Sequence, residues 1–316
     1  MNLNKVLRCQ ANRLVRSIVL FLQKHPKVQL YLFENHKRIY CKLRYVSVFG
    51  KRLNFNKAET IHEKLFWLAA NWRNPLIAKC ADKYRVREYV AECGCADILN
   101  QLYGAFDRVE DIDFCQLPDS FVMKSNKGSG DNLFVLDKKA LDINEASRLA
   151  DIWRGNVYGI DTAEFQYHHI PFKILCERYL KESDNDEFLE YQLFCFNGEP
   201  HSFLVRNDLE TTGKCPFAVS YSLDWQRLYL RKEEEKFEFE LPEPANRGKM
   251  IDYARRLSRP FPQVRVDFYE VNGKLFFGEL TFSTHGNILS NYKEEALETW
   301  GKLLILPEPY NGPDKY

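Results

Sequence analysis

Residues 264–281, VRVDFYEVNGKLFFGELT, decide the fold. Two runs of strand-forming residues flank Asn272-Gly273, and Asn-Gly is the strongest short hairpin signal because both turn positions need a positive φ. A second such pair, Asn197-Gly198, separates the strand-like runs 191–196 and 201–205. Two legible antiparallel hairpins predict a mixed α+β chain rather than the regular βαβ alternation of a doubly wound fold.

The first hairpin also carries polar residues on otherwise apolar strands. Arg265 and Asp267 share one face of their strand, and Glu279 and Thr281 share one face of the partner, because side chains alternate along a strand. Buried acids are costly unless they are paired or bind a metal. Carboxylate and hydroxyl oxygens suit Mg²⁺, and Arg265 would then stabilise a transferring phosphoryl group. A cross-strand salt bridge to Arg265 is the alternative, and the two interpretations are compatible.

A third hairpin is predicted from the apolar runs 121–124 and 133–136, which flank the loop 126–131. The two glycines of the loop permit close approach of the backbone to a ligand. The loop amides would cradle phosphate oxygens, and Lys124 would supply a fixed cation. A plain polar hairpin tip is the alternative interpretation.

The pattern of residues 176–180, CERYL, predicts the end of a strand. One interpretation is a hinge whose backbone pairs with an adenine edge while Glu177 accepts from the exocyclic amine. The alternative is a solvated surface acid, which is common at strand ends.

The remaining pattern is mainly helical. We expect helices at 58–72, at 82–92 with Asp82 as its cap, at 142–154 and at 245–258, and a strand at 172–176. Pro75 is expected to break the chain after the first of these helices.

Length and charge set the outline of the molecule. At 316 residues the chain is long enough for roughly two packed units. Residues 1–57 hold thirteen Lys or Arg and a single acid, so the near-neutral total hides a basic arm and an acidic body. The nine cysteines form no CxxC pair. They indicate reduced, mostly buried thiols in a cytoplasmic protein, and we expect no nucleic-acid partner.

The basic arm has helical periodicity, with Leu3, Leu7, Leu14, Ile18 and Phe21 forming an apolar stripe. One interpretation is a helix docked on the body. The other is peripheral contact of residues 1–24 with an anionic membrane, at the inner face of the cell membrane.

Several stretches in order resemble the TupA-like (teichuronopeptide-biosynthesis) ATP-grasp proteins of bacterial surface-polysaccharide loci. They lie at 63–68, 82–90, 117–124, 194–198, 224–225 and 265–282. The resemblance covers about residues 50–308. It implies an α+β ATP-grasp fold, in which two subdomains at 81–175 and 176–316 grip ATP behind a basic, mainly helical region at 1–80.

The resemblance also implies roles for individual residues. Phosphate contacts would come from two lysines and a glycine-rich flap: Lys83, Lys124, Gly128, Ser129 and Gly130. The adenine-binding hinge would be Glu177, Arg178, Tyr179 and Leu180. Asp267, Glu279 and Thr281 would bind the metal, and Arg265 would act with Lys124 in catalysis. The implied cofactors are ATP and Mg²⁺, with Mn²⁺ as a substitute. The family often has Asp-Tyr-Lys where this chain has Glu190-Tyr191-Gln192.

The implied activity is ATP-dependent ligation of a carboxylate to an amine through an acyl phosphate. The carboxylate would belong to a sugar of a capsule or lipopolysaccharide O-antigen glycan, as a small molecule or in lipid-linked or nucleotide-linked form. One alternative is a kinase that phosphorylates a glycan hydroxyl. Another is a glycosyltransferase, favoured by the DxD form of Asp111-Ile112-Asp113. A nucleotide-binding protein whose site has decayed, as Gln192 would indicate, is the non-enzymatic reading.

Overall fold

The computed structural model describes residues 15–180, 189–207 and 217–312, and within them the α+β prediction is confirmed. A four-stranded antiparallel sheet has the order β1-β4-β2-β3, and a five-stranded one has the order β7-β6-β5-β8-β9. The strands are β1 Leu102–Phe106, β2 Phe121–Ser125, β3 Asn132–Val135, β4 Ile174–Arg178, β5 Leu189–Phe196, β6 Glu199–Arg206, β7 Ala218–Ser222, β8 Gln263–Val271 and β9 Lys274–Thr281.

Eight helices accompany the sheets in the described part of the chain, besides helical residues at 15–24. They are α1 Pro26–Asn35, α2 Lys37–Phe49, α3 Ile61–Asn71, α4 Pro75–Ala81, α5 Val86–Glu92, α6 Ile143–Gly155, α7 Arg247–Ser258 and α8 Glu294–Leu303. Strands β1 and β7 and helix α8 were not predicted from the sequence.

The N-terminal region is helical, as predicted, and has an aromatic core of its own. Phe33, Tyr40, Tyr45 and Phe66 are buried there together with Phe165 from the body. The Phe33 and Phe165 ring centroids are 4.6 Å apart, so this core ties the N-terminal helices to the rest of the molecule.

The apolar stripe predicted for the arm is only partly described, since Leu3, Leu7 and Leu14 lie outside the described residues. Phe21 is 52% exposed, whereas Leu22 is the buried side chain of this segment. A helix docked on the body would therefore use Leu22 rather than Phe21 at its contact, whereas an exposed Phe21 is compatible with the membrane interpretation.

The two predictions made around α4 have different outcomes. The helix predicted at 58–72 does end before Pro75, at Asn71, but Pro75 begins a further helix, α4, where Asn74 caps the helix through a bond from the Leu76 amide. Proline is well tolerated at this first position because its missing N–H would have no intrahelical partner. Asp82 ends α4 instead of capping the next helix, which begins only at Val86.

All three predicted hairpins are present. Asn197 (φ 52°) and Gly198 join β5 to β6, and Asn272 (φ 51°) and Gly273 join β8 to β9. Strand β2 pairs with β3, and β4 lies between β1 and β2. Because β4 crosses position 175, we propose that the boundary between the subdomains lies after β4 rather than at 175.

The larger sheet has its main core on one face, where α7 packs. Buried residues of this core include Leu193, Phe203, Val266, Phe268 and Leu257. Along β8 the alternating residues Arg265 and Asp267 therefore lie on the opposite face, towards the first sheet. Five of the seven described cysteines are buried and none forms a disulfide, as expected for reduced thiols.

Candidate active site

A cavity of about 370 Å³ lies between the two sheets. All nine residues predicted for nucleotide binding line it: Lys83, Lys124, Gly128, Ser129, Gly130, Glu177, Arg178, Tyr179 and Leu180. Arg265 and Glu279 line its other wall. The structure thus brings together residues separated by almost 200 positions along the chain.

Lys83 bridges the two walls of the cavity. It follows α4 in a turn that is fixed by Asp82, whose carboxylate accepts from the Tyr84 amide at 2.9 Å and from Asn126 Nδ2 at 2.9 Å. The ammonium group of Lys83 donates to the Gly128 carbonyl in the flap. On the other side it lies 4.0 Å from Glu279 Oε2.

Lys124 and Glu177 form an ion pair across neighbouring strands of the first sheet. Lys124 Nζ lies 2.6 Å from Glu177 Oε2, and both side chains are largely buried. Asn100 Nδ2 also approaches Glu177 Oε2, at 3.5 Å. Glu177 is therefore not the solvated strand-end acid of the alternative interpretation, and its role towards adenine remains a prediction.

The glycine-rich flap rests on an aromatic residue that the sequence did not point to. Gly128 has φ 77° and Gly130 has φ 85°, which favour glycine at both positions. A Cβ at Gly128 would lie 2.4 Å from the Tyr158 ring, whereas a Cβ at Gly130 would meet nothing within 4 Å. Tyr158 itself packs edge-on against Tyr167, with ring centroids 4.9 Å apart. The flap thus packs against Tyr158 at Gly128 and has free space around Gly130.

Arg265 and Asp267 form a two-armed ion pair on β8. Arg265 Nε lies 2.8 Å from Asp267 Oδ1, and Nη2 lies 2.5 Å from Oδ2. Asp267 is fully buried. Burial raises the pKa of the Asp267 carboxyl, and the bonded guanidinium opposes that shift. The salt-bridge alternative is therefore realised, most closely within β8, and also across the two strands, where Arg265 lies within ion-pair distance of Glu279.

Glu279 and Thr281 extend this group from β9. Thr281 Oγ1 donates to Glu279 Oε1 at 2.9 Å and lies 3.4 Å from Asp267 Oδ2. Glu279 Oε1 is 3.8 Å from Arg265 Nη2. Burial raises the pKa of Glu279, but the charges of Lys83 and Arg265 outweigh it, so the net shift is downward. Glu279 is therefore the ionised carboxylate that faces the cavity.

A β-bulge sets the positions of the two acids. The pairing of β8 with β9 shifts after Asp267, so that Asp267 faces Glu279 while Phe268 faces Phe277. The additional residue is Gly278, where a Cβ would lie 2.9 Å from the Asp267 carbonyl oxygen. Bulges of this kind re-aim side chains next to active sites.

The oxygen donors of Asp267, Glu279 and Thr281 are chemically suited to Mg²⁺, which prefers hard oxygen ligands. Both Asp267 oxygens already accept from Arg265, which leaves Glu279 as the more open carboxylate. In the described part of the chain, no group of three His, Cys, Asp or Glu residues could hold a metal by itself. Mg²⁺ usually binds through one or two carboxylates together with substrate phosphates, and this donor set fits that mode.

The two acids of the DxD stretch lie outside the cavity, whereas several residues without a predicted role line it. Asp111 and Asp113 cap local turns, accepting from the amides of Arg108 at 3.1 Å and Cys115 at 3.0 Å, and they do not line the cavity. Asn100 and Arg206 do line it, but neither stands in a recognisable motif. Gln192, noted as a departure from the family pattern, also lies in the wall and pairs in register with Asp267.

A cleft between two antiparallel sheets, with lysines and a glycine-rich flap on one wall and carboxylates on the other, defines a protein of the ATP-grasp class. A family model described as TupA-like ATPgrasp matches residues 63–304, and the chain belongs to this family. The resemblance proposed from the sequence motifs is thereby confirmed. No curated protein was found to match the chain.

Solved structures with similar folds have low sequence identity to this chain. The L-amino acid ligase from Bacillus licheniformis is 16% identical, with a TM-score of 0.45, over 75% of this chain and 53% of that one. The D-alanine–D-alanine ligase from Helicobacter pylori is 13% identical, with a TM-score of 0.39, over 72% and 61%. The Bacillus anthracis D-alanine–D-alanine ligase complexed with ATP is 12% identical, with a TM-score of 0.42, over 71% and 64%. The chain thus spans between half and two thirds of these proteins.

Proposed function

We propose that the protein is an ATP-dependent ligase that activates a carboxylate and joins it to an amine. The observation that carries this proposal is the convergence of Lys83, Lys124, Arg265 and Glu279, from both sheets, on one cavity beside the glycine-rich flap. Membership of an ATP-grasp family supports it. The arrangement offers several fixed cations for phosphate oxygens, as expected where positioning and charge neutralisation dominate.

In the proposed reaction the substrate carboxylate attacks the γ-phosphorus of ATP, and ADP leaves. The amine then attacks the resulting acyl phosphate, loses a proton and expels inorganic phosphate, leaving an amide. Lys83 and Lys124 bind the phosphates of ATP. Arg265, held in place by Asp267, lies where negative charge develops on the transferred phosphoryl group.

Glu279, Thr281 and Asp267 would hold a Mg²⁺ ion, or Mn²⁺ in its place, that neutralises phosphate charge. We propose that ATP binds together with this metal ion and that its adenine lies against the hinge residues 177–180. Glu177 would accept from the exocyclic amine, since its carboxylate already lies in the cavity wall.

The test is ADP release by the purified protein with MgATP, a panel of sugar acids and a panel of amines. The expected result is ADP formation that requires both an acid and an amine. Glu279→Gln should abolish it while the melting temperature stays close to that of the wild type. Glu199→Gln, which breaks a 2.8 Å ion pair to Arg255 outside the cavity, is the control. Absence of ADP release with every pair would count against the proposal.

Product mass distinguishes the kinase alternative, because the same cavity would serve phosphoryl transfer to a hydroxyl. A ligase yields an amide and inorganic phosphate, whereas a kinase yields a phosphate monoester. The glycosyltransferase alternative has no support from the structure, since Asp111 and Asp113 act as local caps. If a variant with alanine at both Asp111 and Asp113 retains turnover, the glycosyltransferase alternative is excluded.

We also propose that the protein works in the cytoplasm on a glycan precursor of a bacterial surface polysaccharide, at the membrane. No helix in the described part of the chain is long and apolar enough to cross a bilayer. Support for peripheral contact comes from the exposed Leu20 (58%), Phe21 (52%) and Tyr31 (57%), beside the exposed Lys24 and Lys27. Such a mixture suits an anionic lipid surface.

Deletion of residues 1–24 tests this contact. Binding to vesicles with about 30% anionic lipid should fall in a sedimentation assay, since polybasic segments contribute about 1 kcal/mol per cation. ADP release by the soluble protein should be retained. Equal vesicle binding by the full and shortened chains would contradict the membrane proposal.

A further inference from the structure

A second cavity, of about 570 Å³, adjoins the first on the same face of the larger sheet. The two share four lining residues: Gln192, Arg206, Asn207 and Arg265. A ligand in the second cavity would therefore reach Arg265, the residue that faces the reacting phosphoryl group in the proposed reaction. None of the nucleotide-binding residues on the first sheet takes part in its lining.

The walls of the second cavity are rich in cations. Five basic side chains line it besides Arg265: Arg206, Arg231, Lys232, Lys236 and His285. The pKa of His285 is lowered by desolvation and then by the charges of Arg265, Arg231 and Arg206. Arg206, Arg231 and Arg265 line the same cavity as His285, which concentrates positive potential in one concave surface.

Two acids also line this cavity, and both are already engaged. Glu234 is 1% exposed, and its carboxylate accepts from Ser220 Oγ at 2.9 Å and from the Arg231 amide at 2.9 Å. Glu233 pairs with Lys236 at 3.2 Å. Among the described residues, neither acid forms an ion pair with Arg206, Arg231 or Arg265.

Arg231 and Lys232 have no carboxylate within 4.0 Å among the described residues. The Arg231 guanidinium donates only a long bond, 3.4 Å, to the Ala218 carbonyl. Arg206 does have an acidic neighbour, Glu190, at 3.5 Å. An uncompensated Arg–Lys pair in a concave wall is suited to binding an anion, because arginine offers a planar fork for phosphate or carboxylate oxygens.

The backbone beside these cations is held in an unusual conformation. Three consecutive residues after β9 have positive φ: His285 (49°), Gly286 (61°) and Asn287 (65°). A Cβ at Gly286 would lie 2.7 Å from Thr162, so the turn also packs tightly against the body. Left-handed residues other than glycine are costly and persist where the surroundings over-determine them, commonly at binding sites.

We infer that the second cavity binds a phosphate group of the acid substrate, so that the substrate is a phosphorylated sugar acid whose carboxylate faces Arg265 and whose phosphate is held by Arg231 and Lys232. This inference rests on the proposed ligase function for the role of Arg265. The phosphate-binding site itself is a separate claim that can be tested without turnover. The sugar phosphate could be a monophosphate or the diphosphate of a nucleotide-linked or lipid-linked sugar.

Calorimetric titration of inorganic pyrophosphate into the full chain tests the site. The first cavity is blocked beforehand with a saturating non-hydrolysable ATP analogue, whose own titration reports on the proposed function. We expect Arg231→Ala and Lys232→Ala each to weaken pyrophosphate binding about tenfold, as expected for a lost charge-assisted contact. Arg255→Ala, on the exposed end of α7, should change nothing.

The outcomes separate the two claims. If the ATP analogue does not bind, the proposed function fails and pyrophosphate can enter either cavity. Weaker pyrophosphate binding by Arg231→Ala then assigns it to the second cavity, and weaker binding by Lys124→Met assigns it to the first. Pyrophosphate binding that is absent, or that both Arg231→Ala and Lys232→Ala leave unchanged, overturns the inference. Lys232 is exposed, so its variant tests the site even if Arg231→Ala fails to fold.

A second set of titrations identifies the source of the phosphate. Glucuronic acid 1-phosphate and UDP-glucuronic acid represent the monophosphate and the diphosphate, and glucuronate lacks both. At least one phosphorylated acid should bind about tenfold more tightly than glucuronate, and Arg231→Ala should remove that difference. Equal affinity for all three would contradict a phosphorylated sugar acid.

Discussion

The two hairpins that face each other across the first cavity each carry a paired cation but differ in how deeply it is buried. On β8 and β9, Asp267 is fully buried and Arg265 is 8% exposed, and the two are joined by several short hydrogen bonds. The β2–β3 hairpin is shorter, ends in a glycine-rich loop and exposes Phe134 by 40%. The first hairpin buries this charged pair, whereas the second buries Phe121 and Met123 at its base and ends in an exposed glycine-rich tip.

The difference indicates that the two hairpins have different roles. A catalytic arginine that is already oriented costs no reorganisation when charge develops on the phosphoryl group. The flap must admit and release a nucleotide. Lys83 holds it through its ammonium bond to the Gly128 carbonyl and through a backbone bond of 2.8 Å to the Asn126 carbonyl. We expect perturbation of the buried hairpin to affect stability first, and perturbation of the flap to affect nucleotide binding first.

The largest expected effect is on the buried hairpin. Asp267→Asn leaves Arg265 buried without its main counter-ion, which should lower the free energy of unfolding by about 3 kcal/mol. Chemical denaturation monitored by circular dichroism measures this change. Arg265→Met combined with Asp267→Asn should recover most of the loss, because the unpaired charge is then gone. A single variant as stable as the wild type would show that the pair does not anchor the sheet.

The sequence predicted these hairpins because their signals are local. Asn197-Gly198 and Asn272-Gly273 need only their own φ angles, and the alternation of Arg265 with Asp267 needs only the strand. The motif resemblance also predicted most of the first cavity. In both cases the information lies within a few neighbouring residues or in motifs of recognisable form.

The parts that were missed depend on distant contacts. Tyr158 supports the flap from the segment after α6, and Arg231 belongs to a loop whose geometry is set by the buried Glu234. Arg227, another arginine of the same region, lies 3.4 Å from Glu234 and over the Tyr221 ring. No local pattern distinguishes such a structural arginine from a binding one.

The next effect is on the flap side of the cavity. Lys124→Met removes the cation that now pairs with Glu177, so ATP binding should weaken by about ten- to a hundredfold, the value of a charged hydrogen bond. Calorimetric titration with the ATP analogue measures it. Lys249→Met is the control, since Lys249 also forms a 2.6 Å ion pair, with Asp97, but outside the cavity. Equal loss of affinity in both variants would show that Lys124 does not contact the nucleotide.

The smallest expected effect concerns the glycine-rich flap, which packs against Tyr158 at Gly128 but has free space at Gly130. Alanine at Gly128 or Gly130 should cost about 1–2 kcal/mol of local backbone strain in each case, because both residues have positive φ. Only Gly128→Ala also collides with Tyr158, 2.4 Å from its new Cβ, so only this variant should displace the flap and raise the dissociation constant of the ATP analogue several-fold. Adding Tyr158→Ala to Gly128→Ala should restore part of the affinity. If Gly130→Ala weakens binding as much as Gly128→Ala, strain alone governs the flap and its seat on Tyr158 has no role.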